Sequence, residues 1–318
     1  MSALFSPITL NGITVRNRVA MPPMVCAVMP ALGVHADDAG GVTPGLLDHY
    51  ARRARAGCGM IIVEATAVDP GGRCWRGGLG AYTDQQVPGL RQLAECIHAE
   101  GALASIQLVH GGPQSSVELS GKKTFPADLS VEEIQTIEGR FADAAARCVD
   151  AGFDAVEIHG AHGFLLDAFL STQRNTRTDA YGGSLDRRMQ MLLETCHKVR
   201  SRIAGDALLD CRISVFNHLD EGFSAADFRQ LVSALEATDL DLLHLSIMDG
   251  ALNDYFGTGK TLGQQAKEIT ALPIIVAGKL GDPHDAERAI ADGHADFAAV
   301  GSAMLKDPDW VVHAREVL

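Results

Sequence analysis

Eight short apolar runs alternate with helical patterns along the 318 residues of the chain. Each run is apolar at successive positions, so a strand formed from it would be covered on both faces, as in a parallel sheet between helices. The runs begin at Val19, Met60, Leu103, Ala155, Leu208, Leu242, Pro273 and Phe297. Eight strand–helix units in a chain of this length predict a (β/α)8 TIM barrel, with a doubly wound parallel sheet as the alternative.

Turn and cap signals agree with this division. Asn11-Gly12 within "ITLNGITV" predicts an N-terminal β-hairpin that closes one end of the barrel. Ser130 and Glu133 form the pattern of a capping box and predict the start of a long helix. Because no linker or low-complexity tract interrupts the pattern, we expect one domain over residues 1–318.

Composition narrows the classes of function. A net charge of −13 argues against a nucleic acid or an anionic membrane as the main partner. No apolar run approaches the roughly 20 residues that span a bilayer, and the first residues do not resemble a signal peptide. The 7 cysteines form no CxxC pair, which is typical of reduced thiols in the cytoplasm. We therefore expect a cytoplasmic protein that acts on a small molecule, and homo-oligomers are compatible with this expectation.

Polar residues close to the predicted strand ends mark a candidate site, because TIM barrels carry their reacting groups there. His159 ends the fourth strand and His162 follows one turn later, so two neutral imidazoles could bind one small oxygen acceptor. The alternatives are a structural pair and a metal site, for which the motif supplies no third ligand. Gln107 and Arg212, on the third and fifth strands, suit a planar heterocycle that carries carbonyl groups or an interior hydrogen-bonded layer.

Two glycine-containing stretches predict a phosphate site. Gly278 in "VAGKLGDP" and Gly301 in "AVGSAML" follow the seventh and eighth strands, where this fold often binds phosphate. Lys279 would add positive charge, although either glycine could serve only the turn. No GxGxxG or P-loop motif opens a βαβ unit, which disfavours a Rossmann domain and an NTPase.

Several long stretches resemble the old yellow enzyme family of FMN-dependent oxidoreductases. They are "LFSPITLNGITVRNRVAMPPM", "IIVEATAV", "IQLVHGG", "HGAHGFLLDAFLSTQRNTRTDAYGGS" and "GSAMLKDPDW". The resemblance is strongest to the bacterial branch that includes the barrel domain of 2,4-dienoyl-CoA reductase. It implies FMN as cofactor, NADH or NADPH as reductant, and hydride transfer to an activated alkene (an α,β-unsaturated carbonyl) or a nitro-type acceptor.

The resemblance also implies roles for individual residues. Positions matching the flavin-ring site are Pro23, Met24, Val25, Ala65, Gln107 and Arg212, and positions matching the phosphate loops are Gly278 and Gly301. His159 and His162 match the pair that holds the carbonyl oxygen of the acceptor. Val25 stands where this branch often has a cysteine next to the flavin, and Cys26 is shifted by one position. We expect Cys26 and Tyr255 on the substrate side.

Three departures from the family pattern affect the expected chemistry. Phe164 replaces the tyrosine that usually protonates the α-carbon. Ser302 replaces an arginine that usually binds the FMN phosphate, which leaves Lys279 as the substitute. Pro113 interrupts a family motif, and residues 111–129 make a short lid. The departures leave two alternatives open: an isomerase or desaturase of an enone, and a barrel that binds flavin or ligand without turnover.

Overall fold

The computed structural model describes residues 2–203, 205–215, 218, 221 and 223–318. The strands are β1 Ile8–Leu10, β2 Ile13–Val15, β3 Val19–Met21, β4 Met60–Ala67, β5 Leu103–Val109, β6 Ala155–Gly160, β7 Leu208–Ile213, β8 Leu242–Ser246, β9 Ile274–Ala277 and β10 Phe297–Ala299. Strands β3 to β10 form a closed barrel in chain order, and each neighbouring pair is parallel. The predicted TIM barrel is confirmed, and all eight predicted strands belong to it.

Helices follow the barrel strands and cover the outside. They are α1 Pro44–Arg55, α2 Val87–Ala99, α3 Val117–Ser120, α4 Val131–Asp150, α5 Leu165–Leu170, α6 Leu185–Arg202, α7 Ala225–Glu236, α8 Leu262–Ile269, α9 Pro283–Ala291, α10 Ser302–Lys306 and α11 Trp310–Val317. In α4 the buried residues Ile134, Ile137, Phe141 and Ala145 recur at helical spacing, so one face packs on the barrel. Within the described part of the chain, no helix combines the length and apolarity needed to cross a bilayer.

The predicted capping box opens α4. The Glu133 N–H donates to Ser130 Oγ at 3.1 Å, and the Ser130 N–H donates to Glu133 Oε2 at 2.7 Å. Two backbone donors that the first helical turn leaves unpaired are thereby satisfied. This reciprocal pair fixes where the lid that follows β5 ends and the helix begins.

The N-terminal hairpin closes the end of the barrel where the strands begin. Asn11 and Gly12 both have positive φ, 42° and 86°, as a two-residue hairpin turn requires. The hairpin places Leu10 and Val15 in one buried cluster with Met60, the first residue of β4. The opposite end, where the strands finish, is therefore the end at which we look for a ligand site.

Side chains from β6, β7 and β8 fill the barrel in three successive layers, because alternate residues of a strand point to the same side. The apolar layer is Ala155, Leu208 and Leu242, which belong to one buried cluster. Two residues further along each strand come Glu157, Asp210 and His244, which lie close together, and two residues further again come His159, Arg212 and Ser246. The interior thus changes from apolar to polar toward the open end, which prepares that end for a polar ligand.

Candidate active site

His159 and His162 lie side by side at the open end of the barrel. Their ring centroids are 5.1 Å apart and the rings are nearly perpendicular, at 85°. His162 has a φ of 62°, in the left-handed region that few non-glycine residues occupy. The turn is held because the His162 N–H donates to Ser214 Oγ at 3.0 Å and the Gly163 N–H donates to the Asp167 carboxylate at 2.6 Å. Both rings are therefore fixed by the fold.

The hydrogen-bond network indicates the protonation of the pair. The Ala161 N–H donates to His159 Nδ1 at 3.3 Å, so the proton of that ring is on Nε2. Arg212 donates to Ser246 Oγ at 3.1 Å, and Ser246 Oγ lies within hydrogen-bond distance of His162 Nε2, at 2.7 Å. Burial lowers the pKa of His162 to about 3, and burial, followed by the neighbouring His162, lowers the pKa of His159. At neutral pH both imidazoles are therefore uncharged, and each carries one N–H group.

Gln107 and Arg212 lie in the polar interior beneath the pair. Gln107 is 1% exposed and donates to Glu157 Oε1 at 2.7 Å. The guanidinium of Arg212 is buried, and its Nε has no hydrogen-bond partner among the described residues. A buried donor without a partner is costly unless a bound molecule satisfies it. Arg212 thus fits a site for a polar ligand.

A cavity of about 730 Å3 opens above these residues, within the range of small-molecule sites. Of the predicted site residues, its lining includes Met24, His162, Arg212, Gly278, Lys279, Gly301 and Ser302. Pro23 is buried between two lining residues, Pro22 and Met24. One cavity therefore joins Met24 and Arg212, two of the residues predicted for the flavin ring, to the residues predicted for the phosphate.

Close packing explains both glycines at the far end of the cavity. Gly278 has a φ of 154°, and a Cβ there would lie 1.8 Å from the carbonyl oxygen of Ile247. A Cβ at Gly301 would lie 3.0 Å from Met24 Sδ and 3.1 Å from Pro22 Cγ. The fold itself thus requires a small residue at Gly278, whatever binds there.

Two lysines give this end its positive charge. Lys279 and Lys306 are exposed and line the cavity, and the lysine ion pairs among the described residues involve neither of them. Lys306 was missed in the sequence, although it lies four residues after Ser302, one helical turn away. The N-terminus of α9 has one backbone N–H fewer for an anion, because the Asp282 side chain already accepts the His284 N–H at 2.8 Å. We therefore expect an anion at this end of the cavity to be bound by the lysine ammonium groups more than by the N–H groups of α9.

Phe164 borders the histidine pair on the other side. Its ring is 4.7 Å from that of His159 and 5.7 Å from that of Trp75, measured between centroids. It is 7% exposed and packs in a small apolar cluster with Ala65 and Val109, against which Val25 is partly buried. Ala65 and Val25 thus lie beside Phe164 rather than in the lining of the cavity.

The two remaining predicted residues differ in their surroundings. The thiol of Cys26 is buried and lies 3.6 Å from Nε2 of His49, a residue of α1. It therefore points toward α1, and its predicted substrate role stays a prediction. The Tyr255 hydroxyl accepts the N–H of Asp249 at 3.1 Å, and Asp249 lines the cavity. Tyr255 thus contacts a residue of the cavity lining, and the Cys26 thiol also lies 3.6 Å from the carbonyl oxygen of Met24, another lining residue.

One group of potential metal ligands occurs in the described ranges. It consists of Glu157, Asp210 and His244, which are all buried inside the barrel. Neither His159 nor His162 belongs to it, so no described residue joins this pair as a third ligand. The geometry of the pair fits the recognition of an oxygen atom better than the binding of a cation.

Comparisons with known proteins agree with these features. A model of the NADH:flavin oxidoreductase / NADH oxidase family matches residues 3–318. The NADH oxidase of Thermoanaerobacter brockii is 33% identical over 337 aligned residues, which cover 98% of this chain and 50% of that protein. The NADPH dehydrogenase of Bacillus pumilus (strain SAFR-032) is 33% identical over 328 aligned residues, which cover 99% of this chain and 95% of that protein. The chain thus spans half of the first relative and nearly all of the second.

Solved structures have the same fold. A variant of morphinone reductase in complex with tetrahydroNAD is 26% identical and has a TM-score of 0.85, covering 100% of this chain and 91% of that one. An old yellow enzyme homologue from Zymomonas mobilis, 24% identical with a TM-score of 0.85, supports the fold alone; it covers 99% of this chain and 93% of that one. These findings confirm the predicted family and, with it, an FMN oxidoreductase that uses NADH or NADPH. The chain belongs to the NADH:flavin oxidoreductase / NADH oxidase family, the family of the old yellow enzymes.

Proposed function

We propose that the chain binds FMN in the 730 Å3 cavity and transfers hydride from NADH or NADPH to a small electron-poor acceptor, either an α,β-unsaturated carbonyl compound or a nitro compound. The observation that carries the proposal is the pair of adjacent, neutral imidazoles at the open end of the barrel, His159 and His162, of which His162 lines this cavity. Two neighbouring imidazole N–H groups suit an oxygen atom that gains negative charge. The names of the relatives, NADPH dehydrogenase and NADH oxidase, support the choice of reductant.

The residues present fit FMN. Arg212 offers a buried N–H donor without a described partner, and Gln107 lies in the same polar interior. Lys279 and Lys306 supply positive charge for a phosphate at the far end of the cavity. When bound, FMN supplies the hydride chemistry, and the protein supplies binding, orientation and electrostatics.

The histidine pair would act on the carbonyl oxygen of the acceptor. When hydride reaches the β-carbon of an enone, negative charge collects on this oxygen, and the N–H groups of His159 and His162 stabilise it. Because Arg212 and Ser246 fix the His162 ring, little reorganisation is needed as the charge develops. Each such donor is typically worth about 2.7–4 kcal/mol in a transition state.

Replacement of both histidines by alanine tests the role of the pair. We expect the His159→Ala/His162→Ala protein to bind FMN and to be reduced by nicotinamide, yet to lose most of its affinity for phenols and enones. The long-wavelength absorbance that appears when a phenol is added to the oxidised protein measures this affinity. A Ser246→Ala control removes only the hydroxyl that orients His162 and should weaken phenol binding less. An unchanged band in the double variant would contradict the role, and zinc-dependent activity would favour a metal site.

The protonation of the pair predicts a flat pH profile. Because the pKa of His162 is lowered to about 3 and that of His159 is also lowered, both rings stay neutral well below the usual histidine range. The affinity for an enone without titratable groups should therefore be constant between about pH 5 and 8. Enone titrations of the oxidised protein across this range measure it. A change in affinity near pH 6.5, the ordinary pKa of histidine, would contradict this account. It would show that His159 or His162 gains a proton as the pH falls through that value.

Phe164 supports a second candidate function, the isomerisation of an enone. The described residues that pack around its ring are mostly apolar: Ala65, Val109, Val25 and Trp75. In an enolate that no acid protonates, the Cα–Cβ bond is single and can rotate, and either hydrogen of the β-carbon could then return as hydride to the oxidised cofactor. The double bond would re-form at the same position with E or Z geometry, without net reduction. Product analysis with a Z-enone separates this reaction from reduction, because isomerisation to the E-enone consumes no nicotinamide.

A further inference from the structure

Below the histidine pair lies a set of buried polar groups that the proposed function does not use. Glu157, Asp210 and His244 project into the barrel from three adjacent strands, and one possible ligand atom of each lies within 4.8 Å of the others. They are in direct contact with Gln107 or close to Arg212, two residues that we expect at the flavin ring. The charge of this set therefore bears on the cofactor site.

Hydrogen bonding assigns the negative charge to Glu157. The amide of Gln107 can only donate to Glu157 Oε1, at 2.7 Å, and His244 Nδ1 lies 2.6 Å from Glu157 Oε2. The carboxyl group of Asp210 is also hydrogen-bonded to Glu157. Two carboxyl groups can share a hydrogen bond only if one of them carries a proton. Since two other donors already serve Glu157, the proton belongs to Asp210.

The remaining atoms agree with this assignment. Asp210 Oδ1 has no partner among the described residues, as suits the weaker acceptor of a protonated acid. Burial raises the pKa of Asp210, and the neighbouring Glu157 raises it further. His244 is neutral, because burial followed by the charge of Arg212 lowers its pKa. The single positive charge of Arg212 is thus balanced by the single negative charge of Glu157.

Glu157, Asp210 and the polar groups that face them lie on four strands. They are Gln107 from β5, Glu157 and His159 from β6, Asp210 and Arg212 from β7, and His244 from β8. Beneath them the barrel is filled by apolar side chains such as Ile62 and Ile275. A metal ion would displace the donors that Glu157 already accepts and would lie close to Arg212. A shared proton fits these contacts without either cost.

We infer that Glu157 and Asp210 share one proton and that Glu157 is the counter-charge that limits the attraction of Arg212 for negative charge on the flavin ring. Glu157 would thus act as a positioning residue that sets the redox potential of the cofactor, an inference that rests on the proposed function. Reduction adds electrons to the ring, so an unbalanced Arg212 would favour the reduced cofactor. Asp210, which already carries the proton, would have little influence on the redox potential.

Two matched variants test the assignment through the midpoint potential of bound FMN. Glu157→Gln should shift the ratio of affinities toward reduced FMN by about tenfold or more, which for two electrons equals a potential about 30 mV more positive. Asp210→Asn replaces a neutral acid by a neutral amide of the same shape and should leave the potential nearly unchanged. Equal shifts in both variants, or a shift in Asp210→Asn alone, would overturn the inference.

Infrared spectroscopy tests the shared proton without the cofactor. The cofactor-free wild type should show a carbonyl band of a protonated carboxylic acid that Asp210→Asn removes. The difference between these two proteins is needed because burial also raises the pKa of Glu64 and of Glu138 to about 7. If the spectra of the wild type and Asp210→Asn do not differ in this band, the inference that Asp210 carries a proton is wrong, whether or not Glu157→Gln folds. If the protein does not bind FMN, the proposed function is contradicted, but the infrared test can still be carried out.

Discussion

Replacement of Phe164 by tyrosine should raise the rate of enone reduction by about tenfold or more, because a positioned general acid typically contributes about 10²–10⁴-fold. Hydride addition leaves an enolate that needs a proton on its α-carbon, and Phe164 cannot supply one. Its ring already lies 4.7 Å from that of His159, measured between centroids, so a tyrosine at this position would lie beside the histidine pair. Stopped-flow reoxidation of the reduced protein by an enone measures the change.

Controls separate proton supply from packing in the Phe164→Tyr experiment. Phe164→Leu keeps the site apolar and should not accelerate enone reduction. Nitro compounds need no carbon protonation, so their reduction and the reduction of the protein by nicotinamide should hardly change in Phe164→Tyr. Equal enone rates in wild type and Phe164→Tyr would mean that another group or a water molecule delivers the proton; Tyr255 would then be the described residue to test.

Removal of both lysines at the far end of the cavity should weaken FMN binding about 100-fold, because a hydrogen bond to a charged group contributes about 1.5–3 kcal/mol. The variant is Lys279→Ala/Lys306→Ala, and the single variants should each lose part of this affinity. Fluorescence quenching of FMN on binding measures the dissociation constant directly. Lys260→Ala is a matched control, since Lys260 pairs with Glu268 and does not line the cavity.

Ser302→Arg tests the same end of the cavity by adding a positive charge instead of removing one. In the wild type it should tighten FMN binding by about tenfold, since it restores one charge-assisted phosphate contact. In the Lys279→Ala/Lys306→Ala background it should recover much of the lost affinity. If neither the loss nor the recovery is observed while the barrel stays folded, the phosphate is bound elsewhere.

The sequence predicts the barrel well because its strands are buried on both faces and its turns have specific chemistry. The apolar runs, the Asn11-Gly12 hairpin and the capping box at Ser130 depend on local sequence, and the structure confirms each of them. Thr43, by contrast, precedes α1 as a cap would, yet its hydroxyl donates to the carbonyl of His35 instead of accepting from the helix. Local patterns predict where a helix begins more reliably than which partner its cap selects.

The site is predictable only in part, because it depends on which face each residue presents. Lys306 was missed because only the position of α10 brings it to the cavity. Cys26 begins a short 3-10 helix that turns its thiol toward His49, a direction that residue spacing does not specify. The polar layer of Glu157, Asp210 and His244 can be recognised in the sequence, because these are ionisable residues within strands that are otherwise apolar.

The central claim is that this cavity carries hydride chemistry on bound FMN, and anaerobic reduction tests it most directly. The protein is reconstituted with FMN, freed of excess cofactor and titrated with NADPH or NADH while the flavin absorbance is followed. We expect the yellow absorbance to disappear with one nicotinamide per flavin and to return when an enone or a nitro compound is added. A protein that retains no FMN, or whose FMN neither nicotinamide reduces, would contradict the account.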